Sequence, residues 1–220
     1  MKRKFALLLL TLPLLVGCKQ TQIRKDIEEF VSSFSLQESF LTYRRAEYND
    51  SKESNINGVY TIELERVYFD STDEENLSYI KENFLYEEEE LVSQSEEKCY
   101  KKDGEFYYEL NGEISPSSME KYELLVTKFF YKEIVEDTYH SRGMYYGDYV
   151  IDTCAKLQDL VTIKDDLYIM EYRTVDSKNN SEQYQLLKVN RLGMLDSNHV
   201  YMRNGVNSIT QDIVVKNFSE

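Results

Sequence analysis

The feature that most limits this fold is its punctuation. Asn57-Gly58, Asp103-Gly104, Asn111-Gly112 and Asn204-Gly205 each stand between stretches where apolar and polar residues alternate. Such pairs take the positive φ values of a two-residue hairpin turn with little strain, and that turn's twist matches two antiparallel strands. A chain jointed this way builds hairpins, and hairpins in series build an antiparallel sheet. The flanks agree. Tyr60, Ile62, Leu64 and Tyr68 alternate with Thr61, Glu63, Glu65 and Val67, which predicts a strand with one apolar face.

Further strands are predicted over 98–102, 105–110 and a stub after Gly112, forming a three-stranded meander. The last third predicts strands over 160–163, 167–175, 183–189, 194–202 and 209–216, joined by turn-forming residues. Helical spacing appears at Ile23, Ile27, Phe30, Val31 and Phe34, and again at Leu36, Phe40, Tyr43 and Ala46 after the capping box from Ser35 to Glu38. A second box from Thr72 to Glu75 predicts a short helix through Leu77, Ile80 and Phe84. A third helical region opens at Pro116, with Met119, Tyr122, Leu125, Val126, Phe129 and Phe130 on one face. Residues 49–57 read as a polar loop. The expected class is α+β: a mostly antiparallel, curved, half-barrel-like sheet packed against a few helices. A cystatin-like or nuclear-transport-factor-like cone is the alternative.

The N-terminus carries an address. Lys2, Arg3 and Lys4 precede an apolar run over 5–16 that contains Pro13 and falls short of the ~20 residues needed to span a bilayer. This predicts an export leader over 1–17. The segment Leu15-Val16-Gly17-Cys18 resembles the lipobox of bacterial lipoproteins. That resemblance implies a diacylglyceryl thioether on Cys18, cleavage after Gly17, a lipidated tether over 18–24 and one α+β domain over 25–220. Two acyl chains suffice for stable anchoring where one would be marginal. The implied location is the bacterial cell envelope, outside the cytoplasm, with the membrane as a partner through the Cys18 lipid. The strand-rich order and the closing hairpins between Tyr184 and Lys216 resemble the half-barrel of the Lol lipoprotein-carrier family, which implies a curved sheet able to hold an apolar ligand.

Composition narrows the partners. The net charge of −14 becomes more negative once the basic leader is removed, and such a surface repels phosphate backbones, so nucleic acid is excluded. With Cys18 lipidated, Cys99 and Cys154 form an even pair in an oxidising compartment, which predicts a structural disulfide; two separately buried thiols are the alternative. His140 and His199 lack partners at ligand spacing, and no nucleophile elbow, dinucleotide fingerprint or P-loop occurs. No catalytic, cofactor or metal site is predicted. The acidic run over 87–90 reads as a solvated face and 176–182 as a loop. The sequence therefore describes a non-enzymatic envelope lipoprotein that holds an apolar ligand or an envelope protein on a curved sheet. A cell-wall glycan hydrolase with paired carboxylates and a surface adhesin are the alternatives.

Replacing Cys18 by Ser leaves a hydroxyl where the thioether forms. Metabolic labelling with a fatty-acid analogue is expected to mark the parent chain and not the variant; label on the variant refutes the lipobox assignment.

Overall fold

The computed structural model describes residues 43–127 and 161–219 without a break, the pairs 145–146 and 149–150, and scattered helical positions between Lys25 and Thr42. The strands are β1 (Arg45–Ile56), β2 (Val59–Asp70), β3 (Ser78–Glu87), β4 (Glu90–Lys102), β5 (Glu105–Leu110) and β6 (Glu113–Pro116). After helix α1 (Met119–Thr127) come β7 (Tyr145–Tyr146), β8 (Tyr149–Val150), β9 (Val161–Lys164), β10 (Leu167–Asp176), β11 (Ser181–Asn190), β12 (Leu195–Asn204) and β13 (Asn207–Asn217).

Eleven strands form one sheet in the order β6-β5-β4-β3-β2-β1-β13-β12-β11-β10-β9, every neighbour antiparallel, while β7 and β8 pair separately. This overturns the α+β expectation. The molecule is essentially all-β, a large curved sheet carrying little helix. Two misread segments account for the difference. The polar run over 49–57 is the body of β1, and the helix expected through Leu77, Ile80 and Phe84 is strand β3. Asp73 does cap, but it caps a turn: its Oδ1 accepts from the Glu75 backbone N–H (3.0 Å) and its Oδ2 from Asn76 Nδ2 (2.6 Å). Ala46, placed in a helical rhythm by the sequence, is a buried β1 residue.

Alternation fixes which side chains share a face. Ala46 pairs with Phe69, Phe69 with Tyr79, Tyr79 with Cys99 and Cys99 with Tyr108, so these five point to one side. In the other direction Tyr48 pairs with Val215 and Asp50 with Ile213. This inner face holds one apolar cluster that includes Val67, Phe69, Tyr79, Cys99, Tyr168, Met170, Leu187 and Ile213. α1 lies against it. Tyr122 and Val126 are its buried residues, and the Tyr122 hydroxyl meets Ser71 Oγ at 2.6 Å and the carbonyls of Asp70 (3.2 Å) and Ser78 (3.4 Å). Burial pushes the Tyr122 phenol up to about 12.

Tyr60, Ile62, Leu64 and Tyr68 do share a face, but it is the outer one. There Ile62 faces Tyr86, Leu64 faces Phe84 and Tyr68 faces Ile80 in a cross-strand ladder, with the Arg66 guanidinium over the Phe84 ring. The β2 residues in the core are Val67 and Phe69, each 1% exposed. Phe69→Ala is expected to cost about 3–5 kcal/mol as a core truncation, and Leu64→Ala on the outer ladder about 1 kcal/mol. Urea unfolding of the two variants measures the difference; equal losses would mean that the faces are wrongly assigned.

Candidate functional site

The inner face is apolar for only half of its length. Past Tyr48 and Val67, the next inward positions on β1 are Asp50 and Lys52, and on β2 they are Glu65 and Glu63. Asn83 on β3 and Ser95 on β4 continue that layer beside Glu65, and Gln211 on β13 lies beside Lys52. The sheet so presents a polar floor next to its core. Two clefts open along it. One, of about 510 Å³, is lined by residues that include Asp50, Lys52, Glu65, Asn83, Ser95 and Gln211. The other, of about 750 Å³, lies along Ser181, Gln183, Met202, Asn204, Asn207 and Ile209.

The first floor is already paired. Gln211 Nε2 donates to both Asp50 oxygens (3.0 and 2.8 Å), and the Tyr48 hydroxyl donates to Asp50 Oδ2 at 3.3 Å. Lys52 bridges Glu63 at 2.8 Å, Lys81 pairs with Glu65, and Asn83 Nδ2 donates to Ser95 Oγ at 3.1 Å. Burial raises the Asp50 pKa, and the facing Glu65 carboxylate adds to the rise, against lowering by Gln211, Tyr48 and Lys52. Asp50 and Glu65 are cross-strand neighbours in a cleft, the arrangement a glycosidase would need. Yet Lys81 neutralises Glu65, and Asp50 already accepts from Gln211 and Tyr48. The pair is built as structure.

The second region differs. Gln185 is 4% exposed; its Nε2 donates to Asn198 Oδ1 at 2.9 Å, while its Oε1 is buried with no partner among the described residues. Gln183, two residues along the same strand face, lines the larger cleft, and its Oε1 is also buried with no partner among the described residues. An unpaired buried acceptor costs about 1–3 kcal/mol, so two on one strand face are a feature to explain. Sequence reading missed these glutamines, because a glutamine at an inward strand position gives no motif; only its violation of apolar alternation marks it.

Of the residues singled out from the sequence, Cys18 and Cys154 lie outside the described residues, as does His140. Cys99 stands as a buried thiol with Sγ 3.8 Å from Ser117 Oγ, and burial raises its pKa despite that contact. His199 sits on the outer face, paired with Asp212 and tilted against Tyr184. Tyr107 and Tyr108 point to opposite faces: Tyr107 stacks on Tyr100, and the Tyr108 hydroxyl donates to Glu97 Oε1 at 2.9 Å. Asp176 closes its own loop, accepting from the Lys178 N–H (2.9 Å) and from Asn179. Among the described residues, no group of three His, Cys, Asp or Glu side chains could hold a metal, and no helix is long and apolar enough to cross a membrane.

No family model matches the sequence, and no curated protein does. Two solved structures are similar over most of their lengths. A β-barrel-like protein of a domain of unknown function from Brucella abortus has 11% identity, covers 80% of this chain and 99% of its own, and gives a TM-score of 0.23. A putative outer membrane lipoprotein-sorting protein domain from Vibrio parahaemolyticus has 8% identity, covers 87% and 93%, and gives 0.26. Scores this low carry no argument about this chain.

The raised Asp50 pKa has a definite sign. A carboxyl whose folded pKa exceeds its unfolded value penalises the fold once ionised, and the penalty vanishes as pH falls below both values. Asp50→Asn is therefore expected to raise the melting temperature at pH 7, with the gain shrinking toward pH 3. A melting temperature that falls at pH 7 would mean that the Asp50 charge stabilises the fold.

Proposed function

We propose that this chain is a non-catalytic envelope lipoprotein, held to a membrane by lipid on Cys18, that binds a polar ligand along the open half of its inner face. The observation that carries the reading is the pair of buried, unpartnered amide oxygens of Gln183 and Gln185. They supply acceptors, so the ligand they suit brings hydrogen-bond donors, such as hydroxyls or amides. The apolar ligand expected from the sequence finds less support, because the apolar half of the face is filled by the protein's own Tyr79, Tyr122, Tyr168 and Met170. Glycan hydrolysis is disfavoured by the neutralised Asp50–Glu65 pair, whereas non-catalytic glycan binding fits the amide and hydroxyl lining.

Gln183→Leu removes one unpaired acceptor and replaces the amide by an apolar side chain one atom shorter. It is expected to raise stability by about 1 kcal/mol and to abolish any small polar adduct that native mass spectrometry detects on the full chain from its host. A stoichiometric lipid bound noncovalently, besides the one attached at Cys18, would refute this reading. So would an adduct that survives the substitution.

A further inference from the structure

Four hairpin tips lie level along one end of the sheet, opposite the end that holds the core. They are Asn57-Gly58 between β1 and β2, Glu88-Glu89 between β3 and β4, Gly205-Val206 between β12 and β13, and 177–180 between β10 and β11. Hydrogen bonds stitch them sideways into one rim. The Glu88 N–H donates to the Tyr60 carbonyl (3.0 Å), and Glu88 Oε1 accepts from the Tyr60 N–H (2.9 Å). The Asn57 N–H donates to Asn207 Oδ1 (2.8 Å), and the Gly205 N–H donates to the Asn180 carbonyl (3.0 Å). The rim is a fixed edge, not a set of loose loops.

Turn tips favour small polar residues, because nothing there is buried. This rim instead carries Ile56, Val59, Leu91, Val92, Val175 and Val206, every one exposed, Val206 to 84%. Scattered single apolar residues on a surface need no explanation, but Ile56 faces Val59 across the β1–β2 turn and Leu91 adjoins Val92 beside the Glu88-Glu89 turn. The β1–β4 half of the edge so offers an apolar docking surface, with Val206 exposed at the next tip along. Its charge selects the occupant. Glu53, Glu87, Glu88, Glu89 and Glu90 gather at the β1–β4 half of this end, while at the β10–β13 half Asp176 and Glu182 are offset by Lys178, Arg173 and Arg203. That excess repels anionic lipid headgroups, and it repels a second copy of the same rim. It attracts a surface that is both basic and apolar.

We propose that the rim docks a protein partner through a segment rich in Lys or Arg interleaved with apolar side chains. Ile56 and Asp176 also line the larger cleft beside Gln183, whereas Leu91, Val206 and Glu87 to Glu90 do not, so substitutions at the latter test the rim apart from the inner-face ligand.

The test selects a displayed library of random twelve-residue peptides on the full-length chain. Enrichment of sequences combining Lys or Arg with apolar residues is expected. Synthetic winners should bind at least tenfold more weakly to the Leu91→Ser, Val206→Ser double variant and to the Glu87→Gln, Glu89→Gln, Glu90→Gln triple variant. Glu88 is left in place because it holds the Tyr60 N–H. An unchanged melting temperature establishes that both variants are folded. Winners that are acidic or uncharged, winners that bind the variants equally well, or no enrichment at all would each overturn the proposal. Vesicles of three parts phosphatidylethanolamine to one part phosphatidylglycerol are expected to bind the parent chain and the two rim variants alike, through the N-terminal anchor; binding weakened in the rim variants would show a lipid surface instead and overturn the proposal too.

Discussion

The pairing of β1 with β13 is the constraint on which everything else depends. Two meanders, β1 to β6 and β9 to β13, would each be a smaller sheet with an open edge. Their union runs through Ala46 to Asn55 paired against Asn217 to Ser208. The seam is fastened at its core end by the Phe218 N–H to the Arg45 carbonyl (2.8 Å) and by the Arg45 N–H to Ser219 Oγ (2.8 Å). Midway, Gln211 holds Asp50. A slip of one residue here would turn Ala46 and Tyr48 outward and bring Glu47 and Asn49 into the core, so the register is set by the apolar half of the face. Contacts about 160 residues apart close late and at an entropic cost, because chain ends must meet before they are rewarded. Among the described residues, the same union leaves β6 and β9 as the edges of this sheet. Both are four residues long, and β6 ends in Pro116, which cannot donate to an added strand.

Legibility in the sequence followed the apolar signal. The five C-terminal strands and their joints were readable, because Leu187, Val189, Tyr168 and Met170 alternate with polar residues between clear turn residues. β1 was not, because its inward positions beyond Tyr48 are Asp50, Lys52 and Ser54, and a strand with two polar faces looks like a loop. β3 was misread for a different reason. Ile80 and Phe84 are four apart, a spacing that lies on one face of a helix and equally on one face of a strand. The tie was broken wrongly by the capping box, whose Asp73 caps a turn. The β2 strand was found, but alternation says only that two faces exist. Which one is covered depends on where α1 and the facing strands pack, and no local pattern holds that information.

The Glu88-Glu89 turn was illegible as well. Both residues take positive φ (47° and 71°), where sister hairpins use Asn57-Gly58 and Asn111-Gly112. A non-glycine residue there is strained by about 1–2 kcal/mol, and Glu lacks the short side chain that lets Asn accept the conformation. The acidic run is solvated, as its composition predicts, but its exposure is that of a forced tip.

The division of the inner face follows from the same seam. The apolar half sits where the two meanders, α1 and the turn at Asn190 come together, with Asn190 bonded to Tyr43 and to the backbone N–H groups of Leu192 and Met194. Stability is concentrated there, which leaves the far half of each long strand free of core duty. Polar residues could then occupy inward positions at little cost wherever they found partners, as Asp50, Lys52, Glu65 and Asn83 do. A ligand entering that paired floor must exchange bonds already made, so it gains little from them. Gln183 and Gln185 are different: their amide oxygens lose hydration on folding without recovering a bond, and a donor placed against them restores what folding removed. Selectivity for a donor-rich ligand would therefore come from the two glutamines on β11, while the paired carboxylates and lysines three strands away line the other cleft and hold β1, β2 and β3 in register.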